Sequence, residues 1–179
     1  TYHFSKPDYA IEDRFLKVSP GFISVADTEF ALDYKIFNIG KAINREIVVE
    51  IKRTFPDKST AVIRRDTIAG IRYADSLRFV VPVDPVKDKG MNKITITIDP
   101  DNEIDELFET NNTITRDVFI YENDIRPVYP YDYSIVNRQQ IVFAASTANP
   151  LAATQNYLME IDTTRLFNSP LKISVNKTS

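Results

Sequence analysis

Acidic residues crowd one short stretch of this chain. Between positions 99 and 109 the sequence DPDNEIDELFE carries Asp99, Asp101, Glu103, Asp105, Glu106 and Glu109. Carboxylates packed this closely repel one another unless water, backbone amides or a hard cation relieves them, and calcium takes about six to eight oxygen ligands. Asp99, Asp101, Glu103 and Glu106 are therefore the candidate calcium ligands. The alternation Asp99, Asp101, Glu103, Asp105 fails the EF-hand pattern, because Ile104 stands where that loop needs Gly and Thr110 where it needs its bidentate Glu. The competing reading, and the favoured one, is a solvated loop in which Glu106 or Glu109 accepts backbone N–H bonds. The expected cofactor is accordingly none.

Other chemistry finds less support. Paired carboxylates serve general acid–base catalysis when a pocket and helper groups surround them, but no glycine-rich loop or neighbouring histidine accompanies these. His3 is the only histidine, and it sits in a terminal segment. Cysteine is absent, which removes disulfides, thiolate metal sites and a cysteine nucleophile together. No P-loop, GxGxxG, HExxH or GxSxG pattern occurs. No catalytic residue is assigned, and the chain is read as non-enzymatic.

The elements around the acidic stretch are strands. Ile94, Ile96 and Ile98 alternate with Thr95 and Thr97, the period of a half-buried strand of β-branched residues. Asp99-Pro100-Asp101-Asn102 reads as the turn that ends it. Ile104, Leu107 and Phe108 then follow at helical spacing, with Asn102 as N-cap, and predict one short helical turn under the edge of a sandwich. Asn111 and Asn112 are expected to tie the reversing chain to the strand it enters, Thr113 to Tyr121.

Upstream, Phe30, Leu32, Tyr34 and Ile36 alternate with polar residues in the clearest long strand, Glu29 to Asn38, and Asn38-Ile39-Gly40 supplies backbone freedom for leaving it. Ile47 to Ile51, Ala61 to Arg65, Ile68 to Ile71 and Leu77 to Val81 are further strand candidates, and Phe15 to Val18 and Phe22 to Val25 flank a turn at Ser19-Pro20-Gly21. Short strands separated by turn signals, with no long helix for parallel crossovers, predict an all-β, immunoglobulin-like antiparallel sandwich. Its core must rest on Ile, Val, Phe and Tyr, since there is no Trp and no cysteine pair.

Two motifs resemble a known family. Tyr34-Lys35-Ile36-Phe37-Asn38-Ile39-Gly40-Lys41-Ala42, a strand running into Asn-x-Gly, is similar to the earlier hallmark of CARDB domains. The later run, Ile-Asp, a short acidic spacer and Glu106-x-x-Glu109-x-Asn111-Asn112, resembles their C-terminal signature. These are immunoglobulin-like modules of bacterial surface and secreted proteins. The resemblance covers residues 15–121 and implies structural roles for Asn38, Gly40, Glu106, Glu109, Asn111 and Asn112. The following stretch, from Ile125-Arg126-Pro127 to Ile161-Asp162-Thr163-Thr164, is similar to what succeeds this module in gingipain-like cysteine peptidases of the type IX secretion system.

The organisation expected from these readings has four parts. Residues 1–14 show no periodic element and read as the tail of a preceding domain. Residues 15–121 form the sandwich, 122–133 a Pro- and Tyr-rich linker, and 134–179 a partial second β domain with strands at Ile141 to Ala144, Tyr157 to Thr163 and Leu171 to Val175. The chain opens with Thr rather than Met, so it reads as a piece of a longer protein. Net charge is −3 with scattered Lys and Arg, so nucleic acid is not an expected partner. No run of about 18 apolar residues exists, so membrane insertion is not expected either.

The implied role is that of an exported accessory module acting in spacing, domain docking or adhesion. Its partners would be neighbouring domains of the same polypeptide, surface proteins or glycans. The alternative is a carbohydrate- or other ligand-binding module using Tyr129, Tyr131 and Tyr133 as an aromatic platform, against which stands the reading that these rings pack a linker. Asn111-Asn112-Thr113 and Asn176-Lys177-Thr178 match the N-glycosylation pattern and are read instead as turn residues.

Overall fold

The alternating runs pair into two sheets packed face to face. The computed structural model describes residues 5–131, 133–138, 140–147 and 154–178, so His3 lies outside the described residues. In chain order the strands of the first compact unit, Thr1–Ala148, are β1 (Tyr9–Ile11), β2 (Lys17–Ser19), β3 (Ile23–Ser24), β4 (Glu29–Asn38), β5 (Ile47–Thr54), β6 (Thr60–Ile68), β7 (Ala74–Pro82), β8 (Gly90–Ile98), β9 (Thr113–Tyr121), β10 (Ile125–Tyr129) and β11 (Ala144–Thr147). The second unit, Asn149–Ser179, contains β12 (Asn156–Ile161) and β13 (Ile173–Thr178).

One sheet is four-stranded and built on β4. Antiparallel β7 runs along one side of β4 from Glu29↔Pro82 to Phe37↔Ala74. β1 and β2 share the other side in tandem, pairing with Ile36–Asn38 and Ala31–Asp33. The second sheet is five-stranded, in the order β3-β9-β8-β5-β6, antiparallel except where β3 runs parallel to β9. Phe30, Leu32, Tyr34 and Ile36 of β4 face Ile47, Val49 and Ile51 of β5, Ile94, Ile96 and Ile98 of β8, and Val118 and Ile120 of β9 in one core. Full burial of each such side chain contributes about 1.5–3 kcal/mol. The all-β sandwich expected from the alternation is the architecture found.

Several local expectations are corrected. Residues 1–14 do contain a strand: β1 is so short and so completely buried that Tyr9-Ala10-Ile11 shows no alternation. Phe15 belongs to a 3-10 turn, Asp13–Phe15, and packs its ring against Phe37, the centroids 5.0 Å apart and the planes tilted by 56°. The candidate at 61–65 falls inside β6, which follows β5 past a bulge at Ile51/Lys52, whereas the strand expected at 68–71 is absent: Ile68 is the last residue of β6 and 69–71 lie in no strand. No helical turn follows β8 (below). β10 lies inside the stretch read as linker and pairs with β11, and the strands expected at 141–144, 157–163 and 171–175 fall at 144–147, 156–161 and 173–178. Asn176-Lys177-Thr178 therefore lies in a strand, not a turn. In the β12–β13 hairpin Tyr157, Met159 and Ile161 share a face with Val175 and Ile173.

A buried polar cluster around Arg53 interrupts the apolar core. The Arg53 guanidinium lies 3.0 Å from Asp88 and donates to Asn92 Oδ1 at 3.0 and 3.1 Å. Asn92 in turn donates to the carbonyls of Asp88 and Gly90. The guanidinium also lies against the rings of Phe55 and Phe30. Its burial is tolerable only because every charge is answered. Asp88→Ala leaves the cation buried without its counterion and is expected to lower stability by about 3–5 kcal/mol in urea denaturation. A loss below about 1 kcal/mol, the level of an exposed pair, would show that Asn92 alone suffices.

Candidate functional site

The two signature motifs converge on one segment, Lys6–Ile11. At the end of β4, Asn38 Oδ1 accepts the N–H groups of Asp8 (3.2 Å) and Gly40 (3.0 Å), while Nδ2 donates to the carbonyls of Ile71 (2.9 Å) and Lys41 (3.2 Å). All the hydrogen-bonding capacity of that amide ties chain segments together. Backbone bonds from Ile39 N–H to Asp8 O and from Lys41 N–H to Lys6 O, both 2.8 Å, complete the junction. Gly40 is required for space rather than for backbone freedom. A Cβ there would stand 2.5 Å from Lys6 O and 2.7 Å from Asp8 N and the Pro7 carbonyl carbon.

The acidic run reaches the same segment from the other side. Asp99 is buried with φ 48°, and its two carboxylate oxygens accept the N–H groups of Glu103 (3.1 Å) and Ile104 (2.7 Å). Glu106 N–H goes to Glu109 Oε1 (2.9 Å), and Leu107 N–H goes to Pro7 O (3.0 Å). Donors that a helix would direct to carbonyls one turn back are thus taken elsewhere. This is why the expected helical turn is absent although Ile104 is buried; Phe108, by contrast, is exposed. Glu106, 4 % exposed, accepts Tyr9 N–H on Oε2 at 2.5 Å. Asn111 donates through Nδ2 to Asp8 Oδ1 (2.8 Å) and accepts Ile11 N–H on its backbone carbonyl (3.0 Å), while Asn112 ties in through its backbone carbonyl alone, which accepts Ile98 N–H (2.8 Å).

The electrostatics follow from this geometry. Burial pushes the Glu106 carboxyl up to about 7; the Tyr9 N–H opposes the rise, and Glu109, Asp99 and Asp8 reinforce it. The Tyr9 hydroxyl is raised as well, by burial first and then by Glu106 and Asp99.

The candidate calcium ligands do not converge. Asp99 caps the loop backbone, Asp101 pairs with Arg65, Glu103 with Arg45, and Glu106 with the β1 backbone; Asp105, next to them, pairs with Lys6. Among the described residues no group of three or more His, Cys, Asp or Glu side chains is placed to hold a metal ion. The tyrosine strip also departs from expectation. Tyr131 and Tyr133 are exposed rather than packed as a linker, and the Tyr129 and Tyr131 rings meet edge-on at 81°, not as a coplanar platform. Sequence reasoning missed Asp8 and Tyr9 at the seam. It also missed the half-exposed aromatic group of Phe22, Phe119 and Tyr121, whose rings lie 4.7–6.2 Å apart beside a shallow cleft lined also by Lys89, Glu122 and Arg126. Phe119 and Tyr121 alternate outward on β9, which is the only signal the sequence held.

Two outcomes are expected. Gly40→Ala drives a methyl into backbone that has no flexible side chain to yield, and should cost roughly 1–3 kcal/mol in thermal melts, with shifted amide signals at Lys6–Asp8. Calcium and magnesium should each move the melting temperature equally little. A calcium-specific rise of several degrees that Asp99→Asn abolishes would overturn the reading of these carboxylates as internal tethers.

No curated protein matches this chain. Among solved structures it is similar to a CARDB domain from Pyrococcus furiosus crystallised with di-metal ions, at 24% identity over 67% of this chain and 93% of that one, with a TM-score of 0.53. It is also similar to a domain of a cell surface protein from Methanosarcina acetivorans, at 20% identity over 64% and 92%, TM-score 0.48. A third similarity, to β-glucosidase 3B from Thermotoga neapolitana, has 13% identity over 66% of this chain and 18% of that one, TM-score 0.42. Residues 16–116 match the CARDB family, more than half of the chain, with the Asn-x-Gly motif and the acidic run through Glu109 to Asn112 both inside the match. The chain belongs to the CARDB family.

Proposed function

We propose that this chain is a non-catalytic accessory module of an exported bacterial protein, acting in spacing, domain docking or adhesion at the cell surface. The observation that carries this reading is where the motif side chains point. Asn38, Asp99, Glu106, Glu109 and Asn111 all bond to the protein's own backbone or to each other's segments, and none is presented to a substrate. A motif used to brace its own loop and to fasten the Lys6–Ile11 segment to the sandwich gives a stiff attachment, which suits a spacer. The compartment rests on the family resemblance, because an immunoglobulin-like sandwich by itself carries no function. The likeness of the following stretch to gingipain-like peptidases fits the same picture, with any peptidase chemistry in a domain other than this one.

A ligand-binding reading stands second, on the exposure of Phe119 and Phe22 beside Tyr121 and of Tyr131 and Tyr133. One set of measurements separates the two. The purified chain should hydrolyse neither peptide nor glycoside substrates, and titration calorimetry with soluble oligosaccharides should show no binding tighter than about 1 mM, a free energy of about −4.1 kcal/mol. Turnover lost on mutating Glu106 or Asp99 would sink the non-catalytic reading. Binding lost in Phe119→Ser or Tyr131→Ser would establish the second reading instead.

A further inference from the structure

The seam between Lys6–Ile11 and the 99–112 loop buries more acid than its donors can satisfy. Only one oxygen of Glu106 is bonded, Oε2 to the Tyr9 N–H. Glu106 Oε1 is buried without a hydrogen-bond partner, as are Tyr9 Oη and Asn111 Oδ1. Among the described residues the charged groups that act on Glu106 are acidic: Glu109 from its own loop, Asp99 from the turn after β8, and Asp8 from the segment leading into β1. Arg45 acts on Tyr9 but is paired with Glu103. Ionised, Glu106 is therefore a buried anion among acids, with no counterion among the described residues and with Oε1 unpaired. Protonated, Glu106 sheds the buried charge, while Oε2 keeps its bond from β1.

We propose that this seam is a proton-operated clasp, in which neutral Glu106 holds the Lys6–Ile11 segment on the sandwich and ionised Glu106 loosens it. The sign follows from linkage. Burial pushes the clasped carboxyl up to about 7, above the ordinary value of 4.5 expected for the released one, so the clasped state binds the extra proton between those values. The stabilisation is complete below about 4.5, fades as pH rises toward 7, and is gone above it. The proton preference of the clasped form is on the order of a hundredfold.

The test uses the whole chain and amide hydrogen exchange at Tyr9 and Ile11, with the base-catalysed chemical rate divided out. Between pH 5 and 8 the opening constant should rise at least about tenfold, while amides in the middle of β8 stay constant relative to global stability. Glu106→Gln, which keeps the acceptor and is neutral at every pH, should remove the dependence and stay protected at pH 8. A wild-type opening constant that is flat from pH 5 to 8, or the same pH dependence in Glu106→Gln, would overturn the proposal. Should Glu106→Gln fail to fold, carbon-detected titration of Glu106 in the wild type decides. A midpoint near 7 supports the clasp and one at or below about 4.5, the unperturbed range, refutes it.

Discussion

The bond from the Tyr9 N–H to the buried Glu106 carboxylate is the contact on which the arrangement of this module depends. The two residues are 97 positions apart, and nothing local brings them together. For the bond to form, β4 must end at Asn38, the Gly40 backbone must pass within van der Waals reach of Lys6–Asp8, and β8 must release its chain at Asp99 toward the same place. A buried backbone donor left unpaired costs about 1–3 kcal/mol. Here a single loop and a single β4 terminus supply partners for Asp8, Tyr9 and Ile11 together. The acidic run is best understood as a set of acceptors delivered to a segment that a regular sheet edge leaves half-paired.

How much of this was legible in the sequence depends on whether the cause was local. β4 and β8 could be read because one face of each meets the core, and burial of alternate side chains is what alternation records. β1 could not: Tyr9, Ala10 and Ile11 are covered on both faces, so its periodicity vanishes with its exposure. The spacing of Ile104, Leu107 and Phe108 gave a helical pattern that Asp99 overrides by taking two backbone donors. Gly40 was recognisable as special, but for the wrong reason, because a close approach by a segment more than thirty residues earlier leaves no mark on the local sequence.

The acidic cluster shows the same limit. Six carboxylates in eleven positions look like one site when only the sequence is considered. In the folded chain the cations that answer them come from three places: Lys6 before β1, Arg45 between β4 and β5, and Arg65 on β6. Each exposed pair is worth only about 0–1 kcal/mol, yet together they draw Asp101, Glu103 and Asp105 outward and apart. What stays inside is Asp99 and Glu106, and these are held by amides rather than by counterions.

The sandwich thus carries two buried polar devices near opposite ends of β5 and β8, and they solve desolvation differently. Near the Arg53 end, cation, anion and amide satisfy one another. Near the Asp99 end, the buried acids have backbone amides but no buried cation, and a carboxylate in that position lowers its cost by taking up a proton. The first device therefore behaves as permanent structure. At the second, the carboxyl that burial raises is also the one that grips β1.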